Sequence, residues 1–237
     1  MEKRIERYIN KNDILRISLT RYNGSANIAN HVLYLDYFIG NYEISQKIIN
    51  SGKFLSIKFD YQFEYENINI LLYAKQIIIN INNISKKNII TIIKKPINLQ
   101  KLEISYANIA DIDIINELYE KPNIKYVKIM CETSIDLYYI YTIMKIKSLN
   151  SLCLTDDPCD RISLEKIFEI LYYIINNLNK DIKIVIKTCC MLYLMTKRYL
   201  KLISYNFKVN ENNYIFTYIP TIFTKFDNSY DFNLCYL

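Results

Sequence analysis

Three phrases decide how this chain folds: Leu99-Gln-Lys-Leu102-Glu-Ile104, Ile124-Lys-Tyr-Val127-Lys-Ile129 and Leu149-Asn-Ser-Leu152-Cys-Leu154. Each reads apolar-x-x-apolar-x-apolar, and their last apolar residues, Ile104, Ile129 and Leu154, stand 25 residues apart. The closing alternation has a period of two, the pattern of a strand with one buried face. A phrase that returns at a fixed interval of this size marks a unit of one strand plus one return segment, stacked on copies of itself. One such unit cannot bury its apolar face unaided, so stacking supplies the core.

The array extends in both directions. Counting back from Ile104 in strand register reaches Ile79, Ile57 and Leu35, in steps of 25, 22 and 22 residues. Counting forward from Leu154 reaches Ile186 after 32 residues, and Phe207 with Val209 makes one more strand 23 further on. Residues 27–210 therefore hold seven to eight degenerate units of one domain spanning 1–237. Residues 1–26 form an N-terminal cap in which Ile14, Ile17 and Leu19 predict a short strand or helix, and Arg21–Ser25 a turn. Residues 211–237 form a C-terminal cap, where Ile215-Phe-Thr-Tyr218 reads as a strand over the end of the sheet.

Past each strand a polar or small residue is expected to turn inward, followed two positions later by an apolar one. The pairs are Asn82 and Ile84, Ala107 and Ile109, Asp157 and Cys159, Cys189 and Met191. Such an inward group satisfies backbone where the chain bends away from the sheet. The returns read as helices. Asp111 caps the run Ile112, Ile115, Leu118, which Lys121-Pro122 closes, and Pro96 stops the helix one unit earlier. Ser163 caps a longer run through Ile167, Ile170, Leu171, Ile174 and Leu178, and that length explains the 32-residue step.

These strand-plus-return units resemble the leucine-rich repeat superfamily. The Ile-, Asn- and Tyr-rich wording of the repeats is similar to that of the leucine-rich gene families of large insect-infecting poxviruses. The resemblance implies an α/β solenoid: a curved parallel sheet with helical returns on its convex side. It also implies that a partner protein binds on the concave sheet face, as a host factor would if the chain is viral. Some members of the superfamily are substrate adaptors of ubiquitin ligases with an F-box in front of the repeats. Only about 26 residues precede the first unit here, short of an F-box.

Composition narrows the function classes. The chain is 51% hydrophobic yet has only 3 Gly, 4 Pro and no Trp, a bias that A/T-rich coding produces. Its net charge of +6 comes from basic residues spread along the chain, which favours a solvated surface over a nucleic-acid track. No apolar run is long enough to span a membrane, since Lys75 interrupts Ile68 to Ile84. The charged start Met1-Glu-Lys-Arg-Ile-Glu-Arg7 has no apolar signal region. The six cysteines are thus expected as reduced thiols in the cytoplasm, the host's if the chain is viral.

No catalytic residue, cofactor or metal site is expected. The one histidine, His31, excludes paired-His chemistry, and glycines only at 24, 40 and 52 exclude a phosphate loop. Adjacent Cys189 and Cys190 suit neither C-x-x-C redox chemistry nor zinc, and Asp156, Asp157 and Asp160 read as a solvated bend. What the register does define is a surface, because residues alternating with the buried positions point away from the core. Its binding residues are expected to be Tyr34, Lys58, Lys101, Glu103, Tyr126, Lys128, Met130, Lys183 and Lys187. In this register Ser56 lies beside Ile78 and Lys58 beside Asn80. A mixture of Tyr, Met and Lys suits protein recognition. A second reading uses Lys58, Lys101, Lys128, Lys183 and Lys187 for nucleic acid.

Overall fold

A computed structural model describes residues 2–19, 33–34, 42–59, 69–80, 84–131, 135–156, 162–177, 182–187, 207–210 and 215–218. The chain opens with α1 (Glu2–Lys11), β1 (Ile14–Leu19), β2 (Leu33–Tyr34), α2 (Tyr42–Asn50) and β3 (Phe54–Phe59). A short 3-10 turn (Asn69–Tyr73), β4 (Gln76–Ile79), α3 (Lys86–Lys94) and β5 (Lys101–Ser105) follow. The middle holds α4 (Tyr106–Ile109), α5 (Ile112–Tyr119), β6 (Tyr126–Cys131), α6 (Leu137–Met144) and β7 (Ser151–Asp156). Last come α7 (Leu164–Asn177), β8 (Lys183–Lys187), β9 (Phe207–Asn210) and β10 (Ile215–Tyr218).

The ten strands of the described residues form one sheet in the order β2-β1-β3-β4-β5-β6-β7-β8-β10-β9. From β2 to β8 every pairing is parallel. The 25-residue register holds through the centre, with Ile104 opposite Ile129 and Ile129 opposite Leu154, and the 32-residue step then sets Leu154 opposite Ile186. The quoted phrases form the core: Leu99, Leu102, Ile104, Ile124, Val127, Ile129, Leu149, Leu152 and Leu154 are all buried.

The repeat is also written in the backbone. The Lys75 carbonyl accepts the N–H groups of Gln100 and Lys101, the Gln100 carbonyl those of Lys125 and Tyr126, and the Lys125 carbonyl those of Asn150 and Ser151. Each strand is thus entered by the same pair of bonds to the unit before it. The helices close the other side of the core. Their sequences are rich in Ile, a modest helix former, so burial must hold them in place. In α3 that burial falls on Ile89, Ile92 and Ile93, in α5 on Ile114, Ile115 and Leu118, and in α7 on Ile167, Ile170, Leu171 and Ile174. Asp111 caps α5 by accepting the Asp113 N–H at 2.8 Å, and Ser163 caps α7 by accepting the Lys166 N–H at 3.2 Å, both as the sequence predicts. Lys121 reaches back to the end of α3 and donates to the Lys94 and Pro96 carbonyls at 2.6 and 2.9 Å. Gly52, at φ +63°, turns the chain after α2, a conformation that costs glycine little.

Three expectations need correction. First, β1 is not a cap but a strand of the array, aligned with β3 from Ile14 opposite Phe54 to Leu19 opposite Phe59. The strand at Leu33–Tyr34 lies outside it on the sheet edge, so the chain makes an excursion past β1 before returning to β3. Second, Ile57 stands opposite Ile77 and Phe59 opposite Ile79, a shift of two residues from the expected register. Leu55, Ile57 and Phe59 are all buried. A two-residue slip therefore leaves every side chain on its correct face, and the apolar pattern cannot detect it. Third, the parallel array ends at β8. Phe207–Asn210 pairs antiparallel with Ile215–Tyr218, and it is the latter that lies on β8, also antiparallel. The short connection between these two strands fits a hairpin, whereas a parallel crossover needs about a dozen residues or more. Ile215–Tyr218 is a strand, as expected, but it lies between β8 and β9, and Phe207–Asn210 forms the outer edge of the sheet.

Candidate protein-binding surface

In β6 the burial pattern alternates strictly. Val127, Ile129 and Cys131 are buried against the helices, while Tyr126, Lys128 and Met130 are half-buried on the other side. The same alternation sets Lys101 and Glu103 outside Leu102 and Ile104 on β5, and Lys183, Val185 and Lys187 outside Ile184 and Ile186 on β8. Among the described residues no helix covers this second face.

With the register corrected, one row across the face runs Lys58, Ile78, Glu103, Lys128, Cys153 and Val185. The next runs Ser56, Gln76, Lys101, Tyr126, Ser151 and Lys183. A third joins Ser105, Met130, Thr155 and Lys187. Lys58 therefore faces Ile78, not Asn80, and Ser56 faces Gln76, not Ile78. Tyr34 sits in the edge strand opposite Ser18, which in turn lies opposite Lys58. It is separated from the Lys101–Lys187 region by β1, β3 and β4. The other predicted residues do share one side of the sheet, as expected.

Glu103 is the hub of that surface. Gln76 Nε2 donates to its Oε1 at 2.9 Å, and Lys128 Nζ donates to its Oε2 at 3.1 Å, so one carboxylate ties three neighbouring strands. Lys101 turns the other way, its ammonium 5.3 Å from the centroid of the Phe54 ring, within cation–π range. On β6 and β7 the Tyr126 hydroxyl and the Cys153 thiol are hydrogen-bonded. Burial pushes the Tyr126 phenol far above its ordinary value, with the neighbouring Cys153 and Glu103 adding to it. Burial likewise raises the Cys153 thiol, an effect that Lys187, Tyr126 and Lys128 only partly oppose. A raised thiol pKa is the opposite of nucleophilic activation, so this cysteine serves the face as a small apolar residue.

The strand alternation places Phe54 and Gln76 on this outward side although neither is among the expected binding residues, and sequence reasoning missed Arg16 altogether. Arg16 comes in because β1 belongs to the sheet, where it lies opposite Ser56. It also placed the inward polar residue after β5 at Ala107, which is exposed. The buried one is Asn108, whose Oδ1 accepts the Ile84 N–H of the preceding unit at 3.2 Å. The expected apolar partners Ile84 and Ile109 are buried. His31, Asn82, Asp157, Cys159, Asp160, Leu178, Cys189, Cys190 and Met191 lie outside the described residues. Among the described residues, no group of three or more His, Cys, Asp and Glu gathers where a metal could bind, and no helix is long and apolar enough to cross a membrane. Comparison of the chain with protein-family models, with curated proteins and with solved structures finds no match.

Proposed function

We propose that the chain is a leucine-rich repeat solenoid that binds another protein on the uncovered face of its sheet, without catalysing a reaction. The observation that carries this reading is a sheet, parallel from β2 to β8, that among the described residues is covered by helices on one side only. Parallel sheets are normally buried on both faces, and the stacked-repeat architecture is the familiar exception that leaves one face for recognition. The 25-residue backbone ladder and the buried Asn108 bridging two units support the repeat assignment. The face itself offers a half-buried aromatic, a methionine and charged residues at its margins, a composition that suits protein interfaces. Its thiol is buried and protonated, which favours recognition over chemistry. We further propose a cytoplasmic site of action, with a host factor as the partner, on the strength of the viral resemblance.

The test compares two tyrosines on opposite sides of the molecule. Tyr126 is half-buried on the sheet face, and Tyr138 is exposed on α6. The wild-type chain, Tyr126→Asp and Tyr138→Asp are used as bait in affinity capture, after circular dichroism shows that all three are folded. A partner kept by Tyr138→Asp and lost by Tyr126→Asp is the expected result. A partner kept by Tyr126→Asp and lost by Tyr138→Asp would place recognition on the helices and overturn the proposal.

A further inference from the structure

We infer that the partner presents an acidic protein segment to this face, a conclusion that rests on the sheet face being the binding surface. The two sides of the molecule treat charge differently. On the helical side several lysines meet acids: Lys86 pairs with Asp111 at 3.0 Å and with Asp113, Lys94 with Glu117 at 2.8 Å, and Lys166 with Glu169 at 3.2 Å. On the sheet side the described basic residues of β1 to β8 are Arg16, Lys58, Lys101, Lys128, Lys183 and Lys187, against the single described acid Glu103. That acid is already held by Lys128 and Gln76.

Lys101, Lys183 and Lys187 are exposed, and among the described residues no carboxylate pairs with them. Their placement follows from the register. Lys101 and Lys183 belong to one row three strands apart, about 14 Å at the usual strand spacing. Lys187 lies four residues beyond Lys183 on the same strand, about 13 Å away. Between them lie Tyr126, Ser151, Cys153, Thr155 and Met130 together with the Lys128–Glu103 ion pair, a floor without net charge. Cationic margins around a neutral centre complement a segment that carries carboxylates at its flanks and an uncharged residue between them. Opposite charges arranged in this way steer association and fix register.

Nucleic acid fits less well. A strand-tracking groove sets basic residues along its length with aromatic faces for stacking. Here the Phe54 ring is covered by Lys101, and the Glu103 carboxylate at the centre of the face stands where an unbroken line of phosphates would cross it, whereas a segment with carboxylates only at its flanks does not meet it.

The experiment uses a fluorescein-labelled peptide of alternating Asp and Glu interrupted by one Tyr, read by anisotropy at about 50 mM and about 300 mM salt. The full chain is compared with the triple variant Lys101→Glu/Lys183→Glu/Lys187→Glu. A control, Lys145→Glu/Lys147→Glu, reverses two exposed lysines outside the sheet. Binding at the lower salt should fall at least about tenfold in the triple variant and less than about twofold in the control. A single-stranded oligonucleotide of equal charge should bind more weakly than the peptide. Failure of the peptide to bind, binding that survives the triple reversal, or tighter binding of the oligonucleotide would each overturn the inference. The capture experiment separates the two levels of failure. If the peptide fails while capture still depends on Tyr126, the acidic partner is wrong and the sheet face stands; if that dependence is also lost, both fall.

Discussion

Truncating Ile129 to alanine tests the repeat register where it is most constrained. Ile129 is 0% exposed on β6, with Ile104 opposite it on one side and Leu154 on the other. The change removes three carbons, a transfer loss of about 2.4 kcal/mol at about 0.8 per methylene. The flanking strands are held by backbone pairing on both sides, so the space closes only partly and the cavity adds about 1–2 kcal/mol. The expected cost is about 3–4 kcal/mol. Lys128, one residue earlier, is the internal control. Its ammonium makes a single 3.1 Å pair with Glu103 on the half-exposed face, so Lys128→Ala should cost about 0.5 kcal/mol and no more than about 1. Urea unfolding of the two variants beside the wild type gives both numbers. If Lys128→Ala costs as much as Ile129→Ala, the assignment of the faces is reversed and the binding surface described above falls with it.

Asn108→Ala should destabilise by about 1–3 kcal/mol, because it leaves the buried Ile84 N–H without its acceptor; the midpoint of urea unfolding reads it. The Tyr106 phenol, pushed up to about 12 by burial, accepts the Asp136 N–H at 2.6 Å and donates to the Asp136 carbonyl at 3.1 Å. Its folded-state pKa lies above the unfolded one, so stability should be flat below about pH 10 and fall as pH rises from there to about 12. Tyr106→Phe should make that fall shallower, leaving the part contributed by the Tyr119, Tyr126 and Tyr141 phenols, which burial also raises; thermal midpoint against pH reads it. The corrected register predicts that Lys58→Cys/Ile78→Cys forms a disulfide on mild oxidation, since partners on neighbouring strands lie about 5 Å apart. Ser56→Cys/Ile78→Cys, offset by two residues to about 8 Å, should not, and non-reducing mass spectrometry distinguishes them. Ser105 Oγ is buried without a partner, so Ser105→Ala should leave stability unchanged or raise it by about 0.5–1 kcal/mol.

The parts of the fold legible in the sequence are those where a pattern admits one solution. The phrases at Leu99, Ile124 and Leu149 repeat at one spacing, so no other alignment satisfies all three, and β5, β6 and β7 pair as that spacing requires. The helix caps at Asp111 and Ser163 were readable because a capping side chain acts on N–H groups two or three residues away. The N-terminal half was harder for a physical reason. Leu55, Ile57 and Phe59 alternate without a break, and a run of period two looks the same after a shift of two. The place of β1 depends on which strand it pairs with, an outcome of packing across 40 residues, from Ile17 to Ile57, with no local signature. The hairpin at the C-terminal end was legible in principle, from a connection too short for a parallel crossover. At the candidate site the sequence identified which residues face outward from β4 to β8. It could not show that Glu103 draws Gln76 and Lys128 together, because that depends on side-chain reach across strands.

The relief of the open face follows from the same register. Ser56 stands opposite Gln76, Ser105 opposite Met130, Ser151 opposite Tyr126 and Lys183, and Cys153 opposite Lys128 and Val185. In each pair a short side chain meets a longer one across the strand gap, and cross-strand neighbours of this kind lie close enough to pack. Ser56, Ser105 and Cys153 are buried although they point away from the helices. A uniformly long-chained face would fill its own surface with mobile polar groups, and a uniformly short one would be flat. Alternation sets the short serine and cysteine side chains between longer tyrosine, methionine and lysine stems that wall them in. Fixing those walls before a partner arrives lowers the ordering cost of binding, and here the Glu103 network and the Tyr126–Cys153 bond supply that fixing. Weakening them should therefore reduce affinity more than it reduces stability, which is the energetic mark of a surface shaped for recognition.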